Sequence, residues 1–145
     1  MYSSRVEEQF IGNNGFESQS SKIPYLIVDS FPDLGLLTAL RFFEWVFNNP
    51  EGVISLPTGK TPEYFIKWTN YLLKNWDNSS VKSIRGKYNF SSIGKPDFSK
   101  LHFIQIDEFY PLNPNQHNSF YNYVKKYYLK SFGITKSRAH LINTE

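Results

Sequence analysis

The chain contains no cysteine and only one methionine among its 145 residues. Without cysteine it can form neither a disulfide framework, nor a thiolate nucleophile, nor a cysteine-built zinc site. None of its apolar runs approaches the roughly 18 residues that a membrane helix needs, and its polar N-terminus lacks the apolar centre of a signal peptide. The sequence therefore predicts a soluble, cytoplasmic protein with no membrane partner.

The chain also has little excess charge, with 16 Lys and Arg against 13 Asp and Glu and a net charge of +3. This imbalance is too small to predict a nucleic-acid partner. Its three histidines lack the spacing of metal ligands, so we expect no metal site and no cofactor. Aromatic residues are abundant at 18%, and hydrophobic residues make up 40% of the chain, which is typical of a globular domain with a buried core.

Short apolar segments alternate with segments of helical periodicity along the chain. Strands are predicted at 24–28, 52–56, 101–106 and, as the start of a fourth, 140–143. Helices are predicted from an N-cap at Ser30 to Asn48, from an N-cap at Thr61 to about Lys74, and from Ser119 to Ser131 with Gly133 as the stop. This order favours a parallel sheet with helical crossovers.

Two segments fall outside this pattern. Residues 1–23 predict a loosely ordered entry segment with at most a short strand, followed by a single α/β domain over 24–145. Residues 75–100 are polar and predict a surface excursion with room for one short helix. Because such a sheet is small, we expect a truncated domain with one exposed apolar face and a tendency to form a homo-oligomer.

The segment 56–62, Leu-Pro-Thr-Gly-Lys-Thr-Pro, leads from a predicted strand into a helix. Backbone N–H groups at such a helix start bind phosphate, Gly59 would let the backbone approach the anion, and Thr58 and Thr61 would add hydroxyls. A nucleotide-binding P-loop is excluded, because Ile54 stands where that motif requires glycine. On this segment alone, an ordinary strand–helix turn with a good cap remains an equal alternative.

Two carboxylates, Asp107 and Glu108, directly follow the predicted strand at 101–106. In open parallel sheets ligands collect at the carboxyl ends of the strands, so we expect this pair on the same sheet edge as the loop. A carboxylate beside a phosphate-bearing substrate can act as a general base. Taken singly, Asp107 is better explained as a helix or loop cap and Glu108 as a solvated surface charge, and only the shared edge favours a site. His117 either lines this site or merely precedes the next helix.

Three motifs together resemble the glucosamine-6-phosphate deaminase/isomerase family. They are VISLPTGKTPEYFIK at 53–67, FIQIDEF at 103–109 and NSF at 118–120, and the resemblance covers most of the chain from residue 24. It implies a Rossmann-like three-layer α/β sandwich with a mainly parallel sheet. It also implies conversion of glucosamine 6-phosphate and water to fructose 6-phosphate and ammonia, without metal or cofactor. The expected partner is thus a phosphorylated amino sugar.

The resemblance also implies roles for individual residues. The family's loop holds the sugar phosphate, which corresponds here to Thr58, Gly59, Lys60 and Thr61. Asp107 corresponds to the residue that moves the proton at C2 of the opened sugar. Residues expected to line the site are Glu108, His117 and Ser119. Lys60 replaces the small residue usual in bacterial deaminases, so its side chain either adds a cation to the phosphate site or points to solvent.

Two departures from the family pattern leave alternatives open. The related 6-phosphogluconolactonases carry Arg after Asp-Glu, whereas Phe109 follows here, which favours the deaminase branch over a lactonase-like hydrolase. Family deaminases also carry a later G-x-D-G-H segment that supplies a histidine for ring opening, and His140 does not match it. The first expectation is therefore an N-terminal fragment of a deaminase/isomerase that lacks the C-terminal catalytic half. The alternative is a non-catalytic sugar-phosphate-binding or regulatory protein.

Overall fold

The structure, a computed structural model, describes residues 4–14, 22 and 25–144. Its main elements are α1 (Arg5–Asn14), α2 (Phe31–Asn48), β1 (Val53–Ile54), α3 (Glu63–Lys74), α4 (Ser79–Lys87), β2 (His102–Ile104), α5 and β3 (Ala139–His140). The helical stretch α5 consists of an α-helix over Phe120–Val124, a π-helical turn over Lys125–Leu129 and a last α-helical turn over Lys130–Phe132. A 3₁₀ turn over Lys136–Arg138 precedes β3.

The three strands form one parallel sheet in the order β1-β2-β3. Ile54 lies beside Phe103, and Phe103 lies beside Ala139. The predicted α/β class with a parallel sheet is thus confirmed. The strand predicted at 24–28 is wrong for residues 25–28, which have no strand structure, while Pro24 lies outside the described residues. An apolar segment forms a β-strand only when it can pair with the edge of a neighbouring strand. The sequence of the segment does not show whether such a neighbour is present.

The two faces of the sheet differ sharply in exposure. Ile54 and Phe103 point to the core, where they are 7% and 0% exposed, and Phe103 stacks on Tyr128 of α5 at a ring distance of 5.6 Å. Val53 and Ile104 alternate onto the other face, where they are 58% and 45% exposed. The described residues thus cover one face of these strands and leave apolar side chains of the other face exposed, as predicted from the sequence.

The helix α2 begins at the N-cap that its sequence predicts. The Ser30 side chain accepts a hydrogen bond from the Asp33 N–H at 3.3 Å, which caps the N-terminus. Gly35 allows α3 to approach closely, because a Cβ at this position would lie 2.5 Å from the Cβ of Tyr64. Further along, the fully buried Phe43 anchors α2 in the core.

The helix α1 replaces the loosely ordered segment predicted for the N-terminus, a prediction that is wrong for residues 5–14. Val6 is fully buried, and the helix start is tied to Glu44 of α2, which is only 4% exposed. Glu44 accepts hydrogen bonds from the Ser4 hydroxyl at 2.8 Å, the Arg5 N–H at 2.9 Å and the Arg41 guanidinium at 2.8 Å. The contacts of Ser4 and Arg5 with Glu44 join residues about forty positions apart, so local sequence does not reveal them.

The segment 75–100 contains the predicted short helix, α4, but it is not a surface excursion. Trp76, Val81, Phe90 and Phe98 are all at most 5% exposed and belong to the core. Polar residues separate these four apolar residues in the sequence. The segment therefore has no continuous apolar pattern that would predict its part in the core. In the described part of the chain, no helix is long and apolar enough to cross a bilayer.

Candidate functional site

The loop between β1 and α3 presents unpaired backbone donors. Among the described residues, the N–H groups of Thr58, Gly59, Lys60 and Thr61 donate no hydrogen bond. Gly59 has a φ of +89°, in the left-handed region that favours glycine. A Cβ added there would meet nothing within 4 Å, so the space beside it is open. Such free N–H groups, next to a helix start, suit an anion.

The start of α3 differs from the prediction in one respect. Thr61 is exposed and does not cap the helix, which begins at Glu63 with Pro62 in the cap position and no side-chain cap. The Lys60 carbonyl accepts the Glu63 N–H at 3.1 Å, so a turn separates Thr61 from the first helical residues. The predicted N-cap is therefore wrong, because Thr61 precedes the helix by two residues. The first turn of α3 remains free of any side-chain cap.

Two tyrosines of α5 hold the loop by its carbonyl groups. The Tyr123 hydroxyl donates to the Gly59 carbonyl at 2.8 Å, and the Tyr128 hydroxyl donates to the Pro57 carbonyl. In a trans peptide the C=O and the following N–H point in opposite directions. The N–H groups of Thr58 and Lys60 therefore point away from α5. We call this pair of hydroxyl contacts the tyrosine clamp.

The π-helical turn explains how two tyrosines five positions apart serve one loop. In a regular α-helix, residues at i and i+5 lie on different faces, whereas the wider π-turn at Lys125–Leu129 brings Tyr123 and Tyr128 to the same side. Burial, with a smaller effect of Tyr123, raises the pKa of Tyr128, and burial also raises the pKa of Tyr123. Both hydroxyls thus remain protonated donors at neutral pH. The sequence indicates this stripe only as core.

A cavity of about 300 Å³ lies between the loop, α3 and α5. Gly59 and Lys60 line it from the loop, and Lys67 and Tyr127 line it from the two helices. The Lys67 ammonium lies 2.5 Å from the Glu63 carboxylate, which keeps it in a surface ion pair. The Lys60 side chain is exposed and makes no ion pair among the described residues.

Asp107 leaves the sheet at the same edge as the loop. Strands β1 and β2 are parallel neighbours, and the Ser55 hydroxyl donates to the Ile104 carbonyl at 2.7 Å just beyond β1. The buried side chain of Gln105 then fixes the exit of β2, donating to the Asp107 carbonyl at 2.8 Å and accepting the Ile142 N–H at 3.1 Å. The Asp107 carboxylate is exposed, accepts no hydrogen bond from the described residues, and is not among those lining the 300 Å³ cavity.

Glu108 has a structural role that the sequence does not indicate. Its carboxylate accepts hydrogen bonds from the Ser119 hydroxyl and the Tyr121 N–H, both at 2.8 Å, and from the N–H groups of Phe109 and Phe120 at 3.0 and 3.1 Å. Burial opposes ionisation, but these bonds outweigh it and lower the pKa of Glu108. The alternative of a solvated surface charge is therefore wrong.

Ser119 and Glu108 together form the cap of α5. The Ser119 oxygen accepts the Asn122 N–H at 3.2 Å, and its hydroxyl proton goes to Glu108. At the other end, Gly133 ends the stretch with a φ of +78°, as predicted. The polar atoms of Ser119 and Glu108 are thus used to hold the start of α5, the helix that carries the tyrosine clamp. Glu108 is the residue that directly follows Asp107, so the same contacts also fix the chain beside Asp107.

The three histidines have different surroundings. His117 is exposed in the turn before α5 and makes no hydrogen bond with the described residues. His102 contacts the Arg138 guanidinium at 2.9 Å, and His140 is exposed at the end of β3. The described part of the chain contains no group of three or more His, Cys, Asp or Glu residues that could hold a metal ion.

The curated proteins to which the chain is similar all carry the same name. No protein-family model matches the chain. The curated glucosamine-6-phosphate deaminase of Halothermothrix orenii is 25% identical over 116 residues, and that of Alkaliphilus metalliredigens is 23% identical over 117 residues. That of Clostridium botulinum (strain Hall) is 25% identical over 118 residues. The alignments cover 80–81% of this chain but 41% of each relative, so the chain spans about two fifths of the length of the curated relatives it matches.

A solved structure shows the same fold. It is that of a monomeric glucosamine-6-phosphate deaminase described as the missing link of the NagB superfamily, with a TM-score of 0.61 and 19% identity. The match covers 81% of this chain and 42% of the other. That relative's monomeric state does not support the predicted homo-oligomer. Over about 80% of its length, the chain is therefore similar in sequence and fold to the glucosamine-6-phosphate deaminases, the family that its motifs predict.

Proposed function

We propose that this chain forms the phosphate-binding part, with the C2 base, of a cytoplasmic glucosamine-6-phosphate deaminase/isomerase. One observation carries the proposal. The loop at residues 58–61, whose four N–H groups have no partner among the described residues, leaves the same sheet edge as Asp107. Residues 24–145 would then be the N-terminal part of a single domain. A phosphorylated substrate suits a cytoplasmic location, because burying its charge in a bilayer is costly.

The loop would bind the phosphate of the sugar through its backbone. The tyrosine clamp turns the N–H groups of Thr58 and Lys60 away from α5, and the open space beside Gly59 admits the anion. Hydrogen bonds from N–H groups to an ionised phosphate are roughly twice as strong as neutral ones. The exposed Lys60 ammonium and the Thr61 hydroxyl add donors at the rim.

Asp107 would move the proton at C2 of the ring-opened sugar. Removing a proton next to a carbonyl carbon needs a base that is ionised and free to accept it, and the exposed Asp107 carboxylate has no partner among the described residues. Anchoring the phosphate at the loop would hold C2 against this base, which converts an encounter into a positioned reaction. General base catalysis of this kind contributes about 10² to 10⁴ in rate.

Glu108, Ser119 and His117 would act differently from one another. Glu108 and Ser119 would position α5 rather than bind the substrate, because their polar atoms are used in hydrogen bonds at the start of that helix. His117, exposed and without a hydrogen-bonding partner in the described structure, remains a proposed lining residue.

The binding step is tested by titration calorimetry with glucosamine 6-phosphate and, as a control ligand, glucosamine. Only the phosphorylated sugar should bind. Gly59→Ala should weaken binding by about tenfold or more, near 1.4 kcal/mol, because it strains the left-handed backbone and fills the open approach. The control Gly12→Ala, at an exposed position of α1, should leave affinity unchanged. Equal affinity of the Gly59 and Gly12 variants would remove the loop from the site.

The chemical step is tested by following exchange of the C2 proton of the substrate in heavy water by NMR. Asp107→Asn should stop the exchange while sugar-phosphate binding persists, whereas Asp29→Asn, at another exposed aspartate, should change neither. Exchange at the parent rate in the Asp107 variant would exclude this residue as the base.

A second candidate function is non-catalytic binding of a sugar phosphate. It is favoured by the loop at 58–61, whose N–H groups donate no hydrogen bond among the described residues and would bind a phosphate without any contribution from Asp107. Binding without proton exchange in the parent chain would support this candidate, and exchange would exclude it.

A further inference from the structure

Gln105 is a buried polar residue between the end of β2 and Asp107. It is only 4% exposed, and its backbone N–H still donates to the sheet, to the His140 carbonyl at 3.0 Å. Burying an amide side chain is costly unless its polar atoms are hydrogen-bonded. Both ends of the Gln105 amide have such a partner, and both partners are backbone groups.

The Gln105 amide joins Asp107 to the segment that follows β3. Its Nε2 group donates to the Asp107 carbonyl at 2.8 Å, and its Oε1 atom accepts the Ile142 N–H at 3.1 Å. A carbonyl group and the peptide bond that contains it are planar. A bond to the Asp107 carbonyl therefore holds the plane of the peptide between Asp107 and Glu108, and this restricts the ψ angle of Asp107.

The Asp107 side chain has no anchor of its own in the described structure. Its carboxylate is exposed and accepts no hydrogen bond from the described residues, so the direction of its Cα–Cβ bond depends on the backbone. On the C-terminal side that backbone is held by Glu108, whose carboxylate accepts the Phe109 N–H and caps α5. Gln105 supplies the matching hold on the Asp107 carbonyl itself.

A second contact joins the same two segments further along the chain. The Thr144 hydroxyl donates to the Leu112 carbonyl. Ile142 and Thr144 both follow β3, whereas Asp107 and Leu112 both follow β2, its parallel neighbour in the sheet. The segment that carries Asp107 is thus tied to the segment after β3 both before and after Asp107 in the sequence.

We propose that Gln105 is a positioning residue for Asp107 in the transfer of the C2 proton, an inference that rests on the proposed function. Gln105 does not touch the substrate, because both ends of its amide are used within the chain. It holds the Asp107 backbone so that the unanchored carboxylate meets C2. A displacement of about 1 Å lowers the rate of a positioned reaction by up to about 10², so this hold matters for exchange more than for binding.

The test measures C2 proton exchange in heavy water and calorimetric affinity for glucosamine 6-phosphate in Gln105→Glu and the parent. An ionised glutamate keeps the acceptor for Ile142 but has no donor for the Asp107 carbonyl. At about pH 9 exchange should fall by about tenfold or more with the affinity unchanged. Because burial raises the pKa of a carboxyl, the group should protonate and donate again by about pH 6, and the ratio of variant to parent rate should rise. A ratio that is independent of pH would overturn the donor role.

A second variant avoids the buried charge, and a matched control avoids the site. Gln105→Met removes donor and acceptor together, so exchange should fall by about tenfold at every pH with the affinity unchanged. The control Gln9→Glu on α1, which removes a bond of 3.3 Å to the Asn13 side chain, should change neither. Exchange at the parent rate in a folded Gln105→Met chain, or an equal loss in the Gln9 variant, would overturn the proposal.

Failure of this inference and failure of the proposed function give different results. No exchange in the parent chain would overturn the role of Asp107 as the base, and the role of Gln105 with it. Exchange that depends on Asp107 but is the same in both Gln105 variants as in the parent would overturn the positioning role alone. Thr144→Val should also lower exchange, whereas Thr135→Val, which removes a bond of 2.7 Å to the Ser99 carbonyl before β2, should not.

Discussion

The one-sided burial of the sheet predicts a large difference between two identical substitutions. Ile54 and Ile104 lie on neighbouring strands, but Ile54 faces the helices at 7% exposure and Ile104 faces outward at 45%. Ile54→Thr removes buried carbon, worth about 1 kcal/mol, and buries a hydroxyl at a further cost of about 1–3 kcal/mol. We therefore expect a loss of about 2–4 kcal/mol.

Ile104→Thr should cost less than about 1 kcal/mol, because the side chain is already half in water and the new hydroxyl can be solvated. Urea unfolding of the two variants and the parent, followed by fluorescence of the three tryptophans, measures both free energies. Thr keeps the branched Cβ of Ile, and the same replacement is made in both variants, so a difference in strand propensity does not contribute to the difference between their unfolding free energies. A loss at Ile104 as large as that at Ile54 would show that both sheet faces are buried, and would refute the one-sided burial of the sheet.

Three further predictions concern the elements around the site. Glu108→Ala removes four hydrogen bonds and the cap of α5, so the unfolding free energy should fall by about 2–3 kcal/mol, whereas Glu51→Ala, at an exposed glutamate, should leave urea unfolding unchanged. Because the folded pKa of Glu108 is lowered from 4.5, its stabilisation is fully present above that value and is lost as the pH falls through the folded pKa; Glu108→Gln should therefore flatten the acid limb of a stability–pH curve, and an unchanged limb would contradict this. Tyr123→Phe should weaken glucosamine 6-phosphate binding about three- to tenfold in calorimetry by releasing the Gly59 carbonyl. The control Tyr25→Phe, at a tyrosine that is 50% exposed, should leave binding unchanged, and equal effects of the two variants would argue against the clamp.

Features with local signals in the sequence were predictable. Ser30 caps α2 through contacts within one helical turn, and Gly133 ends α5 through its own backbone freedom. The parallel neighbours β1 and β2 follow from the alternation of strand and helix. The common sheet edge of the loop and Asp107 follows from that topology in turn, because parallel neighbours end at the same edge.

Features that depend on distant partners were not predictable. The helix α1 is tied to Glu44, whose contacts join residues about forty positions apart. Residues 25–28 have the apolar composition of a strand but no strand structure. The tyrosine clamp requires the π-helical turn, because the spacing of Tyr123 and Tyr128 predicts different faces in a regular helix. In each case the missing information is a tertiary contact rather than a residue preference.

The most direct test of the central claim is a titration of the ¹⁵N-labelled chain with glucosamine 6-phosphate, followed amide by amide. Saturable shifts are predicted for Gly59, Lys60 and Thr61, accompanied by shifts at Asp107, with one dissociation constant for all of them. Resonances of these residues that stay fixed while the sugar phosphate saturates a site elsewhere, or that stay fixed throughout in a folded chain, would contradict the claim that the loop and the carboxylate form one sugar-phosphate site.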